Sequence, residues 1–270
     1  MKIPVSVLMS ICRKTDPSEF KQAVISITKN QIFQPSQVTI VVDGPVSKQV
    51  EECLISFKHF LDSELTVVRL KQNSGLANAL NIGLEHCTND LIARMDDDDV
   101  SLPERLKLEY LCMCAIPDLH VLGGQISGWT QDLSKCIFKK QIPTDCNDLY
   151  QWAKTRCPFN HPTVMFRKST ILSVGGYPNI YPEDYLLWVK IIQQQKKIMN
   201  LPNEIVHMRM ENALKNRRGF SVLPGEIKIF SIFLSIGFIT KKEFFANVIS
   251  RIILRSLPHS IRLFLYRLLN

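Results

Sequence analysis

Leu91-Ile92-Ala93-Arg94-Met95-Asp96-Asp97-Asp98-Asp99 is the stretch on which the reading of this chain turns. An apolar run of strand length ends in four consecutive carboxylates, and a helix-like stretch opened by Pro103 follows. Four like charges packed this tightly repel one another, and a buried strand end is a poor place for unpaired carboxylates. A hard divalent cation relieves both problems, because it takes oxygen ligands and can bridge to a substrate's phosphates. The carboxyl ends of strands are also where open α/β sheets bind ligands. Taken alone, the run could also be an acidic surface turn leading into the next helix.

Its context favours the sheet. The first half of the chain alternates strand and helix signals with short connections, the pattern of a parallel, helix-covered sheet. Strands are predicted at Pro4–Ser10, Val38–Asp43, Leu65–Leu70, Leu91–Met95 and His120–Gln125. Helices are predicted at Ser18–Lys29, Ser47–Phe60, Leu76–His86 and Pro103–Ala115. In the third helix Leu76, Leu80 and Leu84 are the apolar positions, with Ala77, Ala79 and Gly83 allowing close approach; Asn73 or Ser74 is placed to cap its start. Beyond residue 125 the pattern loosens. A helix is expected at Asn147–Thr155, then Arg156-Cys157-Pro158-Phe159-Asn160-His161-Pro162, a strand at Thr163–Arg167, a turn at Gly175-Gly176-Tyr177-Pro178 and a helix at Glu183–Gln195. No repeat or low-complexity linker appears, so both halves are expected to share one sheet.

The 270 residues, 46% hydrophobic, suffice for a large core. The charge is lopsided. Residues 215–270 hold ten Lys or Arg against two Glu, which is the chain's entire net charge of +8. A neutral body with a basic tail points to an anionic surface as partner rather than to nucleic acid. Ile227–Ile239 is mostly apolar but too short to span a bilayer. Over 243–257 a helical projection puts Phe245, Val248, Ile249, Ile252 and Ile253 on one face with Arg251 and Arg255 on its flank; Ile261, Phe264, Leu265 and Leu268 repeat the style against Arg262 and Arg267. Such segments lie in a membrane interface, or else dock on the body or pair in a homodimer. The eight cysteines form no CxxC pair, and Met1-Lys2-Ile3-Pro4 enters a strand directly, so reduced thiols in the cytosol and no signal peptide are expected.

Two further strand ends line the same crevice as the acidic run. The first closes on Leu8-Met9-Ser10 and the second on Val41-Val42-Asp43-Gly44. Asp43 is placed to accept hydrogen bonds from a base or ribose, although Asp-Gly is also an ordinary turn. Asn73-Ser74-Gly75 can present backbone N–H groups to an anion, while Asn78 and Asn81 lie too far into the helix to cap it. Glu183-Asp184 opens a helix, where acids suit the macrodipole by ~0.3–1 kcal/mol and where either could also act as a base.

Over residues 3–210 these pieces, in this order and spacing, resemble the bacterial family 2 glycosyltransferases, which are inverting, nucleotide-sugar-dependent enzymes of the GT-A fold. The resemblance rests on Val5–Ser10, Val41-Val42-Asp43-Gly44, Asn73–Asn81, Arg94–Asp99 with Pro103 and Arg105, Gly175-Gly176-Tyr177, and Glu183–Trp188. It implies a Rossmann-like, mostly parallel α/β sheet in residues 1–214, with a nucleotide-sugar half (1–125) and an acceptor half (126–214), followed by an amphipathic tail. Asp96-Asp97-Asp98 matches the family's Asp-x-Asp, implying that Asp98 ligates Mn²⁺ or Mg²⁺ and that Asp96 contacts the ribose or the metal. Ser10, Asp43, Asn73, Gly75 and Asn78 fall among the donor contacts, and Asp43 is the base-contacting acid. Asp184 is implied as general base, with Glu183 tuning it. His161, in an Asn-His-Pro that relatives of the O-antigen type share, is implied near the acceptor or diphosphate; Arg209, after the last strand, is one of the cations, with Arg217 and Arg218, that could neutralise the departing diphosphate. Trp188 is expected in the core rather than as a sugar platform.

The chain departs from the family at three points: Asp97 replaces a small residue, Val42-Asp43 carries one acid where two are usual, and Ser10-Ile11-Cys12-Arg13 replaces Pro-x-Tyr-Asn. The implied activity is transfer of a hexose from a nucleotide diphosphate, in the first instance UDP, onto a lipid-linked saccharide at the inner membrane face, as in O-antigen, lipopolysaccharide or capsule assembly. A nucleotidyltransferase would need a Gly-rich basic loop after the first strand, and Ser10–Pro17 has no glycine. A non-catalytic, membrane-docking sugar-nucleotide binder would be expected to have lost the acids present here.

Overall fold

The computed structural model describes residues 1–210 and 222–257. Apolar residues run almost unbroken along β1 (Lys2–Ile11) and β2 (Gln34–Asp43), as in strands covered on both faces. Together with β3 (Glu64–Leu70) and β4 (Leu91–Arg94) they form a parallel array, linked by α1 (Pro17–Ile27), α2 (Lys48–Phe60) and α3 (Leu76–His86). Then follow β5 (Val100–Ser101), α4 (Arg105–Ala115), β6 (Leu119–Trp129), β7 (Cys136–Lys140), α5 (Cys146–Ala153), a 3₁₀ turn at His161–Thr163, β8 (Met165–Arg167), α6 (Lys168–Ser173), α7 (Glu183–Gln193), β9 (Lys197–Arg209), α8 (Leu223–Ser235) and α9 (Lys241–Ser256).

All nine strands join one sheet in the order β3-β2-β1-β4-β8-β6-β9-β5, with β7 on β6. Six strands share a direction, and β5, β7 and β8 run against them. The expected α/β architecture and its continuous sheet are therefore present. Alternation along β1 splits the core: Leu8 faces α3, α7 and α8, whereas Val7 and Met9 face α1, α2 and α4. Gly83 lets α3 lie on the sheet, since a Cβ there would stand 2.4 Å from Leu8 Cδ1 and 2.8 Å from Val41 Cγ2.

The sequence reading and the structure differ mainly in the second half. β5 and β7 have no apolar run of their own to announce them, and β9 extends through Arg209 rather than ending before it. The apolar segment 227–239 is core. α8 buries Ile229, Phe230 and Phe233, and Phe233 meets the Tyr185 ring edge-on at 4.9 Å. By contrast, α9 buries only Asn247. Among the described residues no helix is long and apolar enough to cross a membrane. Arg217, Arg218 and the segment 261–269 lie outside the described residues.

Candidate active site

β4 delivers the acidic run to the carboxyl edge of the sheet, where Met95 N–H donates to the Leu8 carbonyl at 3.1 Å and the chain then turns away. Asp96, Asp98 and Asp99 each bring a carboxylate oxygen within 4.8 Å of the others. Asp99 is buried; its Oδ1 accepts from Arg209 N–H at 3.0 Å, while its buried Oδ2 has no partner. Burial and the charges of Asp98 and Asp96 hold Asp99 far above the ordinary carboxylate range. Asp98 reaches solvent, yet desolvation with the charges of Asp96, Asp97 and Glu19 pushes it up to about 7. Asp97 rises to about 6, chiefly through burial, and its carboxylate takes the Thr15 hydroxyl in the loop after β1.

Two arginines brace this tip from beneath. Arg209 was one of three cations read as able to neutralise a diphosphate; here its guanidinium is committed inward, donating to the carbonyls of Gln131, at 2.8 Å, and Asp98, and to the side chain of Gln22. It fixes the backbone that carries the acids. Fully buried Arg105 pairs with Glu109 at 3.1 Å and donates to the Arg94 carbonyl at 2.8 Å.

Asp43 stands at the end of β2 as expected, with partners the sequence reading did not foresee. It is buried, and both its oxygens are already used: Oδ1 accepts from Ser74 N–H (2.7 Å) and Ser74 Oγ (2.9 Å), Oδ2 from Gly75 N–H (3.0 Å) and Asn73 Nδ2 (2.9 Å). Four donors fill a carboxylate's acceptor capacity. Neither Asn73 nor Ser74 caps α3; the cap position is Gly75, whose φ of +89° suits glycine, and it makes no side-chain cap bond. Asp43 therefore shapes the 73–75 loop. Ser10 is half-buried near the end of β1, and Asn78 is exposed in the first turn of α3.

The second acidic pair stands at the start of α7. Asp184 Oδ1 accepts from Tyr185 N–H at 2.9 Å, and Oδ2 takes the Cys157 thiol at 3.5 Å. Burial raises the Asp184 carboxyl, while Cys157, Arg94 and Lys140 pull it back. Glu183 is raised by burial and by Asp184. Trp188, one turn on, is fully buried against Phe159 and Phe166, so it is a core residue as expected.

Arg94 connects the two acidic groups. Its side chain is 2% exposed and its NH2 pairs with Asp96 at 2.5 Å, while Nε and NH1 are buried without partners. Its charge acts on Asp96, Asp98 and Asp99 on one side and on Glu183 and Asp184 on the other. His161 and Tyr177 complete this floor. His161 Nε2 lies 3.2 Å from the Tyr177 hydroxyl, and burial with the Arg94 charge keeps the imidazole well below its ordinary pKa, hence neutral. Asn81, which caps nothing, clamps the Tyr177 backbone from both sides (2.7 and 2.9 Å) and leaves no room for a Cβ at Gly176. Two separate sequence motifs thus close on each other.

Arg94, Cys157 and Lys140 received no specific role from sequence, and Asp99 only that of orienting the loop. Arg94 was hidden inside an apolar run, and Cys157 looked like one scattered thiol among eight. Lys140 lies on the unforeseen β7, where it donates to Asn160 Oδ1 at 2.8 Å.

The donor set at the β4 tip fits a hard divalent cation. It offers only carboxylate oxygens, one of them a buried orphan, with excess negative charge among neighbours. Residues 6–129 match Glycosyl transferase family 2. The chain is 33% identical to the amylovoran biosynthesis glycosyltransferase AmsE of Erwinia amylovora over 97% of both proteins. It is 35% identical to the UDP-Gal:alpha-D-GlcNAc-diphosphoundecaprenol beta-1,3-galactosyltransferase of Escherichia coli, over 97% of this chain and 94% of that one. In fold it is similar to the mannosyltransferase PcManGT of Pyrobaculum calidifontis, solved with GDP-Man and Mn²⁺, with a TM-score of 0.66 at 14% identity over 96% of this chain and 71% of that one. With relatives of this identity along nearly its whole length, and a GT-A architecture beneath the two acidic groups, the chain belongs to glycosyltransferase family 2.

Proposed function

We propose that this transferase moves a hexose from a UDP-sugar to a hydroxyl of a lipid-linked saccharide, with inversion, forming a β-linkage. The observation that carries the reading is the pairing of Asp96, Asp98 and Asp99 with Glu183 and Asp184 around the buried guanidinium of Arg94. The name of the Escherichia coli relative, a UDP-Gal-dependent enzyme acting on a diphosphoundecaprenol-linked sugar, supports this choice of donor and acceptor.

In this reading Asp98 and Asp96, joined by Asp99, hold Mn²⁺ or Mg²⁺, which supplies positive charge to the departing diphosphate. Asp184 takes the proton of the acceptor hydroxyl as that oxygen bonds to the anomeric carbon; the bond to the diphosphate breaks and the nucleoside diphosphate leaves with its electron pair. Burial suits Asp184 to this work, because a raised pKa makes a stronger base near neutral pH. Cys157 and the Tyr185 N–H orient the carboxylate, and Glu183 adds negative charge beside it. His161 and Tyr177 hold the floor, and the 73–75 loop, shaped by Asp43, borders the nucleotide. Residues 1–125 then serve the donor and 126–214 the acceptor, and the segment 215–270 docks on the anionic inner face of the cell membrane.

The test is transfer from a panel of nucleotide sugars to a lipid-linked saccharide with Mn²⁺ and with chelator. A β-linked product by NMR and loss of turnover with chelator are expected. An α-linked product from an α-linked donor overturns inversion, and wild-type turnover by Asp184→Asn overturns the base assignment.

A further inference from the structure

α9 is turned inside out. An ordinary surface helix puts its apolar stripe on the body and its charges in water. Here the polar residues grip the body. Asn247 Nδ2 donates to the Lys154 carbonyl at 2.9 Å, Arg251 to the Thr155 carbonyl at 2.6 Å, and Glu243 pairs with Lys154 at 2.9 Å. Arg255 grips Glu226 of α8 with two hydrogen bonds of 3.1 and 2.7 Å, and Arg251 approaches the same carboxylate at 3.8 Å. The arginines expected on the flank of the apolar face thus point inward. The opposite edge presents Phe245, Ile249, Ile252 and Ile253 at 61, 55, 43 and 55% exposure. Phe245, Ile252 and Ile253 each lie three or four positions from Ile249, so the four make a continuous stripe along the helix.

Charge complementarity decides what covers this stripe. The segment 215–270 carries the chain's whole positive excess, Lys241 and Lys242 are exposed at the start of α9, and the capping box of Thr240 and Glu243 fixes that start. An apolar stripe next to exposed lysines, on a helix too short and too polar to cross a bilayer, matches an anionic lipid interface. We infer that α9 lies in the surface of an anionic bilayer, with Phe245, Ile249, Ile252 and Ile253 at the acyl boundary and Lys241 and Lys242 among the headgroups.

This contact lies near the base in the chain. α9 holds Lys154 and Thr155, and two residues later the Cys157 thiol meets Asp184. A bilayer under α9 would therefore sit on the base side of the site, where a lipid-linked acceptor arrives; only this last step rests on the proposed acceptor.

Flotation of the full chain with vesicles of phosphatidylcholine, with and without phosphatidylglycerol, tests the docking without donor or acceptor. The wild-type chain is expected to float with the anionic vesicles and not with neutral ones. Ile249→Ser combined with Ile252→Ser and Ile253→Ser should cut binding by about tenfold or more while circular dichroism and melting stay unchanged. Lys241→Glu with Lys242→Glu should weaken binding several-fold and remove its salt sensitivity. Equal flotation by the triple isoleucine variant overturns the inference. So does a concentration-dependent dimer in analytical ultracentrifugation that the triple variant abolishes, since the stripe is then an interface between copies. Vesicle binding without sugar transfer would retain the inference and refute only the proposed reaction.

Discussion

Asp43 and the Asp96–Asp99 run stand at strand ends on either side of β1, both were read as donor contacts, and they are opposite in their physics. Asp43 is saturated: four donors from residues 73–75 fill its two oxygens. The acidic run is starved: Asp99 keeps an orphan buried oxygen, Asp97 and Asp98 are pushed up to about 6 and 7, and Arg94 offers the cluster one hydrogen-bonded pair. A satisfied carboxylate builds shape, whereas a crowded, unsatisfied one awaits a ligand. The difference between a structural and a functional acid lies in the donors around it, not in its position on the sheet.

Several variants would break or sharpen that contrast. The largest effect belongs to the base: Asp184→Asn should lower kcat by about 10²–10⁴-fold with little change in donor KM, checked by steady-state kinetics. Asp98→Ala, at the starved tip, should cost about 10²–10³-fold in kcat while the protein melts at or above the wild-type temperature, since it removes repulsion. Asp43→Asn should do the reverse. It faces an amide towards donors that need an acceptor, so stability in urea should fall by about 1–3 kcal/mol. If Asp43→Asn leaves stability intact and abolishes turnover, the contrast is lost. The smallest effect is at Cys157. The thiol lowers the Asp184 pKa, so Cys157→Ala should move the acidic limb of kcat to higher pH by less than about one unit; Cys157→Ser should keep it near wild type.

How much of this could be read from sequence follows from where each signal is stored. β1, β2, β4 and α3 were legible because burial on both faces leaves near-continuous apolar runs, and because Leu76, Leu80 and Leu84 keep helical spacing. The acids of the site were legible because four carboxylates at a strand end have few cheap explanations. What was not legible depends on contacts across 16–111 positions in sequence: Asn81 on Tyr177, Arg209 on the Asp98 carbonyl, Cys157 on Asp184 and His161 on Tyr177. Arg209 and Asp43 have internal partners that the sequence reading did not foresee, for one reason. Residue type announced a charge, but only the fold shows which donors and acceptors already answer it. α9 follows the same rule, because a projection shows that apolar and basic residues segregate but not which edge faces the body.

The central claim is that the starved acids hold the cation and the saturated one does not. Titration of Mn²⁺ by calorimetry into the wild type, Asp98→Ala and Asp43→Asn, at pH 8 and at pH 5, tests it most directly. With folded-state pKa values raised to about 6 and 7, Asp97 and Asp98 are ionised and mutually repelling at pH 8 and protonated at pH 5, and the folded chain loses stability as pH rises through that window until a cation relieves it. The wild type and Asp43→Asn should therefore bind Mn²⁺ at pH 8 and more weakly by about tenfold or more at pH 5, and Asp98→Ala should bind poorly at both. Wild-type affinity in Asp98→Ala, or loss of binding in a folded Asp43→Asn, would contradict the account.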